Sequence, residues 1–105
     1  MKRLMTPQTL RLENDASEHA EEFAALGFQP AFLDFSTLRI YPSCFPDGRP
    51  AMVHLLDGLP EEVVVMRSPC GKVLAAKMTL IPGFVRHGYF YTRALAARVA
   101  ADWPS

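Results

Sequence analysis

Residues 83–102 read G-F-V-R-H-G-Y-F-Y-T-R-A-L-A-A-R-V-A-A-D, which predicts a β-hairpin that runs directly into a closing helix. His87-Gly88 forms a two-residue turn in this prediction, because glycine tolerates the positive φ that tight hairpin turns require. Pairing outward from the turn gives three facing pairs: Phe84 with Tyr91, Val85 with Phe90, and Arg86 with Tyr89. Thr92 then stands where a threonine caps the following helix.

The side chains of this hairpin alternate between two faces. Val85 and Phe90 share one face. If that face packs on the core, the opposite face carries aromatic rings interleaved with a guanidinium, a pattern typical of a binding surface. The candidate binding residues are Phe84, Arg86, Tyr89, Tyr91 and, at the start of the closing helix, Arg93. In the opposite orientation the closing helix covers Phe84 and Tyr91, and the same side chains are ordinary core.

Four segments outside the hairpin have the composition of strands: 31–35, 38–41, 63–67 and 72–78. The first two flank Ser36-Thr37 and predict a hairpin, and the last two predict a second antiparallel pair. The chain then continues as a strand through 79–85, where Pro82-Gly83 predicts a bend or bulge.

A capping box at 15–18 and a stop signal at Gly27 predict an N-terminal helix over about 15–26. Residues 1–12 carry little periodic signal and are expected to form a loose arm or a short edge strand. The sequence therefore predicts a single α+β domain over 1–105. Its antiparallel sheet has about five to six strands, arranged as a hairpin plus a meander, with an N-terminal helix and a C-terminal helix.

The composition is that of a globular domain. Half of the residues are apolar and 21% are charged, which excludes both intrinsic disorder and a membrane class. No apolar run approaches the roughly 20 residues that span a bilayer, and the first residues hold too few apolar side chains for a secretory signal. Cys44 and Cys70, the two cysteines, are expected to stay reduced without such a signal. The predicted location is the cytoplasm.

The net charge is zero, but the charges are segregated along the chain. Residues 13–34 hold six acidic side chains and no Lys or Arg, whereas residues 63–101 hold six basic side chains and no Asp or Glu. Either the basic half creates a positive field over one face, or the acidic helix lies beside it and the two fields partly cancel.

Four side chains make up a ligand set that tetrahedral zinc accepts: Cys44, His54, Cys70 and His87. No pair among them has the short spacing that makes a zinc motif specific, so a metal site is not favoured. Either thiol could be combined with His54 and Asp57 as a nucleophilic site, but nothing in their spacing supports that choice. The sequence therefore does not favour an enzyme, and no cofactor is predicted.

Single-stranded nucleic-acid binding is the alternative function. Aromatic rings on a sheet face stack on unpaired bases, and Arg86, Arg93 and Lys77 are the basic side chains available for phosphates. The competing interpretation is cross-strand packing under the closing helix, with a cation–π contact between Arg86 and Tyr89 at its rim.

Three strings carry a resemblance to other proteins: D-G-R-P-A at 47–51, H-L-L-D-G-L-P at 54–60 and G-F-V-R-H-G-Y-F-Y-T-R at 83–93. In this order, over roughly residues 32–100, the chain resembles a group of short uncharacterised bacterial proteins. The resemblance implies a bacterial cytosolic origin and no particular activity.

The sequence thus predicts a small non-catalytic domain that acts through a surface. The favoured partner is another protein or a second copy of the chain, since small antiparallel sheets leave edges and apolar patches to be covered. Nucleic acid is the alternative partner, and a thiol- or metal-dependent enzyme is the third interpretation. No membrane partner is expected.

Overall fold

The computed structural model describes residues 4–13 and 20–102, which form three α-helices and six β-strands. In chain order these are α1 (Pro7–Glu13), α2 (Ala20–Ala25), β1 (Gln29–Asp34), β2 (Arg39–Pro42), β3 (Val64–Arg67), β4 (Val73–Ala76), β5 (Leu80–Arg86), β6 (Tyr89–Tyr91) and α3 (Arg93–Ala101). A short 3-10 turn, Glu61–Val63, precedes β3. The predicted α+β class with antiparallel strands is confirmed. No helix in the described ranges has both the length and the hydropathy to cross a bilayer.

Four strands form one antiparallel sheet in the order β2–β1–β5–β6. The first predicted hairpin is confirmed, because β1 and β2 pair across the turn that follows Asp34. The closing hairpin has the predicted register: Phe84 pairs with Tyr91, Val85 with Phe90 and Arg86 with Tyr89. His87 and Gly88 have φ values of 52° and 83°, both positive, as a two-residue hairpin turn requires.

The bend or bulge predicted at Pro82-Gly83 is absent from the pairing of β5 with β1, whose register is continuous from Leu80 to Val85. Proline is accepted in this strand because β6 begins to pair only at Phe84. Pro82 therefore has a paired strand, β1, on one side only. On its other side no strand is paired, so the N–H that proline lacks costs no hydrogen bond between strands.

The six strands agree with the predicted number, but they are divided between two sheets, because β3 and β4 form a separate two-stranded sheet. The outer edge of β4 is occupied by the N-terminal segment: Met5 and Ala76 exchange backbone hydrogen bonds of 3.2 and 2.8 Å. With that edge in use, β5 pairs with β1 instead. Tyr41 Oη donates to Glu62 Oε2 at 2.6 Å and so links β2 to the turn before β3.

The sequence predicts a loose arm or a short edge strand over residues 1–12. In the described part of this segment, which begins at residue 4, Met5 pairs with Ala76 at the edge of β4 and the helix α1 follows. Pro7 occupies the first helical position, where a missing N–H leaves no intrahelical bond unmade. Thr6 Oγ1 accepts a hydrogen bond of 3.2 Å from the Thr9 backbone N–H and so caps the helix. Leu10 is 4% exposed and belongs to the core. A helix of seven residues spans about two turns, too few for a clear periodic signal.

The other two helices follow the predicted signals where they are described. α2 ends before Gly27, whose φ of 88° is the left-handed conformation that stops a helix. The capping box predicted at 15–18 lies outside the described residues. α3 begins after Thr92, whose Oγ1 accepts a hydrogen bond of 3.1 Å from the Leu95 backbone N–H.

Two hydrophobic clusters pack against the same side of the four-stranded sheet, which we call the inner face. The larger cluster also contacts β3 and β4: Leu10, Phe32, Leu56, Leu59, Val63, Val73, Ala76 and Leu80. The smaller cluster lies beneath α2 and α3: Phe23, Phe28, Phe84 and Ala96. His54 lies between them, with its ring centroid 5.4 Å from that of Phe32 and 5.5 Å from that of Phe84. The protein's own elements therefore cover the inner face.

Candidate functional site

The aromatic side of the closing hairpin belongs to the inner face. Phe84 is 8% exposed, and its ring centroid lies 4.9 Å from that of Phe23 in an edge-to-face arrangement. The Tyr91 ring lies 5.0 Å from that of Phe28, also edge to face. Phe84 is thus buried under the helices, and the half-buried Tyr91 packs against the same cluster.

The other three candidate binding residues do not complete a platform. The Arg86 guanidinium lies over the Phe28 ring, 5.3 Å from its centroid, and not over Tyr89 as the sequence suggested. Arg93 is half-buried at the start of α3. Tyr89 is 72% exposed and is the most exposed of the three aromatic rings among the five residues. The five residues predicted as a binding surface are close in the fold, but most of their apolar surface is used in the core.

The opposite side of the sheet, which we call the outer face, is apolar. By strand alternation and register its larger side chains are Leu33, Ile40, Ile81, Val85 and Phe90. All five are half-buried, and neither described core cluster contains any of them. The orientation adopted is therefore the one in which Val85 and Phe90 point away from the core.

The composition of the outer face is unusual for an antiparallel sheet with one solvated side. Such strands normally alternate apolar residues on the core side with polar residues on the water side. In β1, β2, β5 and β6 the outer positions include no Asp, Glu, Lys or Arg, and Gln29 is the polar residue among them. Phe35 follows β1 and, by the same alternation, belongs to this side; it is 53% exposed. Its backbone N–H donates a hydrogen bond of 3.1 Å to the backbone carbonyl oxygen of Thr79. The outer face is therefore apolar although its larger side chains belong to neither described core cluster.

Gly83 keeps the centre of the outer face flat. A Cβ at this position would lie 2.4 Å from Cζ of the Phe90 ring and 2.5 Å from the backbone oxygen of Tyr91. Real Cβ atoms do not approach carbonyl oxygens this closely, so only glycine fits. The Phe90 ring lies over the glycine and closes the gap that a side chain would otherwise fill.

The thiol and imidazole groups do not converge on one site. Among the described residues, no three His, Cys, Asp or Glu side chains are placed to hold a metal ion. His54 is buried and its Nε2 lies 2.7 Å from the Gly83 carbonyl oxygen, so Nε2 carries the proton and donates. His87 is exposed at the hairpin tip. The less favoured zinc site of the sequence analysis combined these two histidines with Cys44 and Cys70. In the structure these four side chains do not come together to hold a metal ion.

The two thiols are free and lie in different surroundings. Cys44 donates a hydrogen bond of 3.3 Å to the Pro42 carbonyl. Cys70 is exposed in the turn between β3 and β4, where Ser68 Oγ lies 3.1 Å from its sulfur. That hydroxyl, with the backbone N–H of Lys72, lowers the pKa of the Cys70 thiol. Among the residues that the structure describes, no His, Asp or Glu side chain forms a hydrogen bond with either thiol, so the arrangement does not define a nucleophilic site.

A buried carboxylate anchors the turn between β1 and β2. Asp34 is 1% exposed and accepts hydrogen bonds from Ser36 Oγ at 2.6 Å and from Lys77 Nζ at 2.9 Å. The Ser36 hydroxyl and then the Lys77 ammonium hold the pKa of Asp34 far below its usual range. Lys77, a candidate phosphate contact from the sequence, is therefore engaged in a structural ion pair.

Acidification is expected to destabilise the protein through Asp34. Its folded-state pKa is lower than its unfolded-state value of about 4, so its contribution to stability is present above that pH and is lost as the pH falls below it. Asp34→Asn should lower the Tm at neutral pH by several degrees and reduce the dependence of Tm on pH between about 5 and 2. Thermal denaturation across that range tests this.

Asp47→Asn is the matched control, because it removes an exposed ion pair with Arg49 that contributes little to stability. Its Tm should follow the wild-type pH dependence. If the Tm of Asp34→Asn fell with pH as steeply as that of the wild type, the assignment of acid sensitivity to this carboxylate would be contradicted.

Comparison with known proteins gives no match: no family model, no curated protein and no solved structure is significantly similar to the chain. The functional argument therefore depends on the geometry described above.

Proposed function

We propose that the chain is a non-catalytic interaction module of the cytoplasm that forms a homodimer, with the outer face of one copy packed against the outer face of another. The observation that carries this proposal is an uncharged apolar sheet face that neither described core cluster covers. The two free thiols support a reducing compartment.

A second copy of the chain is the partner that this surface favours. A two-fold axis brings the same residues together, and a face without charged side chains meets no like-charge repulsion across such an axis. The two contacting surfaces are also identical, so apolar side chains of one copy can pack against apolar side chains of the other. Two such sheets can pack about 10 Å apart, with their strands within about 30° of each other.

The size of the outer face sets the expected strength of the dimer. Four strands spaced at about 4.8 Å and about five residues at 3.4 Å each give a face of roughly 19 by 17 Å. With interdigitating side chains and Phe35 included, two copies would bury on the order of 1,000 Å² in total, near the lower limit for a specific interface. A dimer that dissociates in the micromolar range is therefore expected.

Placing a charge on the outer face should dissociate this dimer. In Ile81→Lys, two ammonium groups would face each other across the two-fold axis, so the dimer Kd should rise by about 100-fold or more. The long lysine stem can still lie along the sheet of the monomer, so the fold should persist. Sedimentation equilibrium from micromolar to millimolar concentration measures the change in mass.

Val65→Lys is the matched control, since Val65 is 53% exposed on the separate β3–β4 sheet. It adds the same charge and should leave the dimer Kd unchanged. A wild-type protein that stays monomeric at the highest concentration would contradict the proposal. So would dissociation by Val65→Lys with a stable Ile81→Lys dimer, which would transfer the interface to the other sheet.

A further inference from the structure

A cavity of about 400 Å³ opens between α1, the segment 54–57 and the start of β4. Its floor is formed by Leu10, Leu56 and Val73, all of which are buried in the larger core cluster. The volume falls in the range of pockets that hold small molecules. Because this cluster lies on the inner face of the sheet, the cavity is separate from the outer face.

Two opposite charges stand among the apolar walls of this cavity: the carboxylate of Asp57 and the ammonium of Lys72. Asp57 Oδ1 accepts a hydrogen bond of 3.0 Å from the Val73 backbone N–H, which fixes the carboxylate at the wall. Lys72 is exposed. Within the part of the chain that the structure describes, neither charge forms a salt bridge, so they do not neutralise each other.

The third polar residue at the cavity is His54, whose Nε2 donates to the Gly83 carbonyl within the core. Because this Nε2–H is used in the core, His54 contributes to the structure of the cavity wall and its Nε2–H does not bind a ligand. The groups left to meet a ligand are one anion, one cation and an apolar floor.

We propose that this cavity binds a small zwitterion with an apolar side chain, of the class of the aliphatic α-amino acids. The ligand ammonium would pair with Asp57, its carboxylate with Lys72, and its side chain would pack on Leu10, Leu56 and Val73. A purely apolar ligand would leave both Asp57 and Lys72 unpaired. A ligand with a single charge would pair with one of these two residues and leave the second unpaired.

The test is a titration of the ¹⁵N-labelled protein with three probes that share the isobutyl side chain of leucine, followed by amide chemical shifts. L-Leucine carries both charges, 4-methylpentanoate carries the carboxylate alone, and isopentylamine carries the ammonium alone. We expect saturable shifts confined to the amides of 54–57 and 72–74. L-Leucine should bind about tenfold more tightly than either single-charge probe.

Two conservative variants assign the charges. Asp57→Asn keeps an oxygen that can accept from the Val73 N–H, so the fold is retained, and it should weaken L-leucine about tenfold without weakening 4-methylpentanoate. Lys72→Gln should weaken L-leucine by a similar factor without weakening isopentylamine. Arg98→Gln, on an exposed position of α3, is the control and should change none of the three affinities.

Absence of a saturable shift with L-leucine would overturn the proposal. Equal affinities for the three probes would do so as well, because they would show that the charges take no part. The comparison of probes is made on the wild-type protein, so it decides the question even where a variant folds poorly.

Discussion

Replacing Phe84 with alanine is expected to lower the free energy of unfolding by about 3–5 kcal/mol. The ring is 8% exposed and contacts three other rings, Phe23, Phe28 and His54, in edge-to-face arrangements. Truncation would remove these contacts and leave a cavity under α2 and α3. Urea denaturation followed by circular dichroism gives the change directly.

Tyr89→Ala is the matched control for this substitution. Tyr89 lies in the same hairpin but is 72% exposed, so its removal should change the free energy of unfolding by about 0.5 kcal/mol or less. If Phe84 instead lay on an exposed stacking surface, both substitutions would change the free energy of unfolding by a similarly small amount. A small effect of Phe84→Ala would therefore contradict the assignment of the aromatic side to the core.

Gly83→Ala is expected to destabilise the protein by about 2–4 kcal/mol, although it adds a single methyl group. The Phe90 ring can rotate away from the new Cβ, but the Tyr91 carbonyl oxygen, 2.5 Å away, belongs to the backbone of the paired strand. The hairpin itself must shift to make room. The change in urea midpoint, with an unchanged slope, measures this cost.

Gly88→Ala separates this steric effect from the general cost of replacing a glycine. A Cβ at Gly88 meets nothing within 4 Å, so its cost is that of an alanine at a φ of 83°, about 1 kcal/mol. The Gly83 variant should be clearly the less stable of the two. The reverse order would show that β5 and β6 are not packed as closely as the structure places them.

The closing hairpin could be predicted from the sequence because its information is local. A two-residue turn at His87-Gly88 fixes the register of the flanking strands, and each of the three predicted pairs is observed. The Thr92 cap is equally local, since it needs only the amide of Leu95 three residues later. These features depend on neighbours in the chain and not on the rest of the fold.

The orientation of the hairpin could not be predicted in the same way, because both of its faces are apolar. Phe84 and Tyr91 face the core only because α2 and Phe28, some sixty residues earlier in the chain, pack against them. One signal was available: β1 carries apolar residues on both of its sides, which is typical of a strand covered on both faces. That pattern points to the outer face, which the sequence of the hairpin alone does not reveal.

The separation into two sheets also depends on contacts between distant segments. Met5 pairs with Ala76 and occupies the edge of β4 that a continuous meander would have offered to β5. The short helix α1 then places Leu10 over the core and forms one wall of the cavity. None of these contacts leaves a periodic or motif signal near residues 1–12, which is why the sequence predicted a loose arm or a short edge strand there and no helix.

The outer face gives the protein an apolar surface whose larger side chains lie outside the two described core clusters. Leu33, Ile81 and Val85 lie there on the two central strands, β1 and β5, so the proposed partner would contact the centre of the sheet. The cavity beside Asp57 lies on the other side, so the proposed dimer and the proposed ligand would use separate surfaces of the chain.

The measurement that tests the proposed dimer most directly is an isotope-filtered NOE experiment on a mixture of labelled and unlabelled protein. Packing of the two outer faces predicts intermolecular NOEs between the methyl groups of Leu33, Ile81 and Val85 of one copy and the Phe90 ring of the other. A millimolar sample with no intermolecular NOE at these groups, or with NOEs confined to β3 and β4, would contradict it.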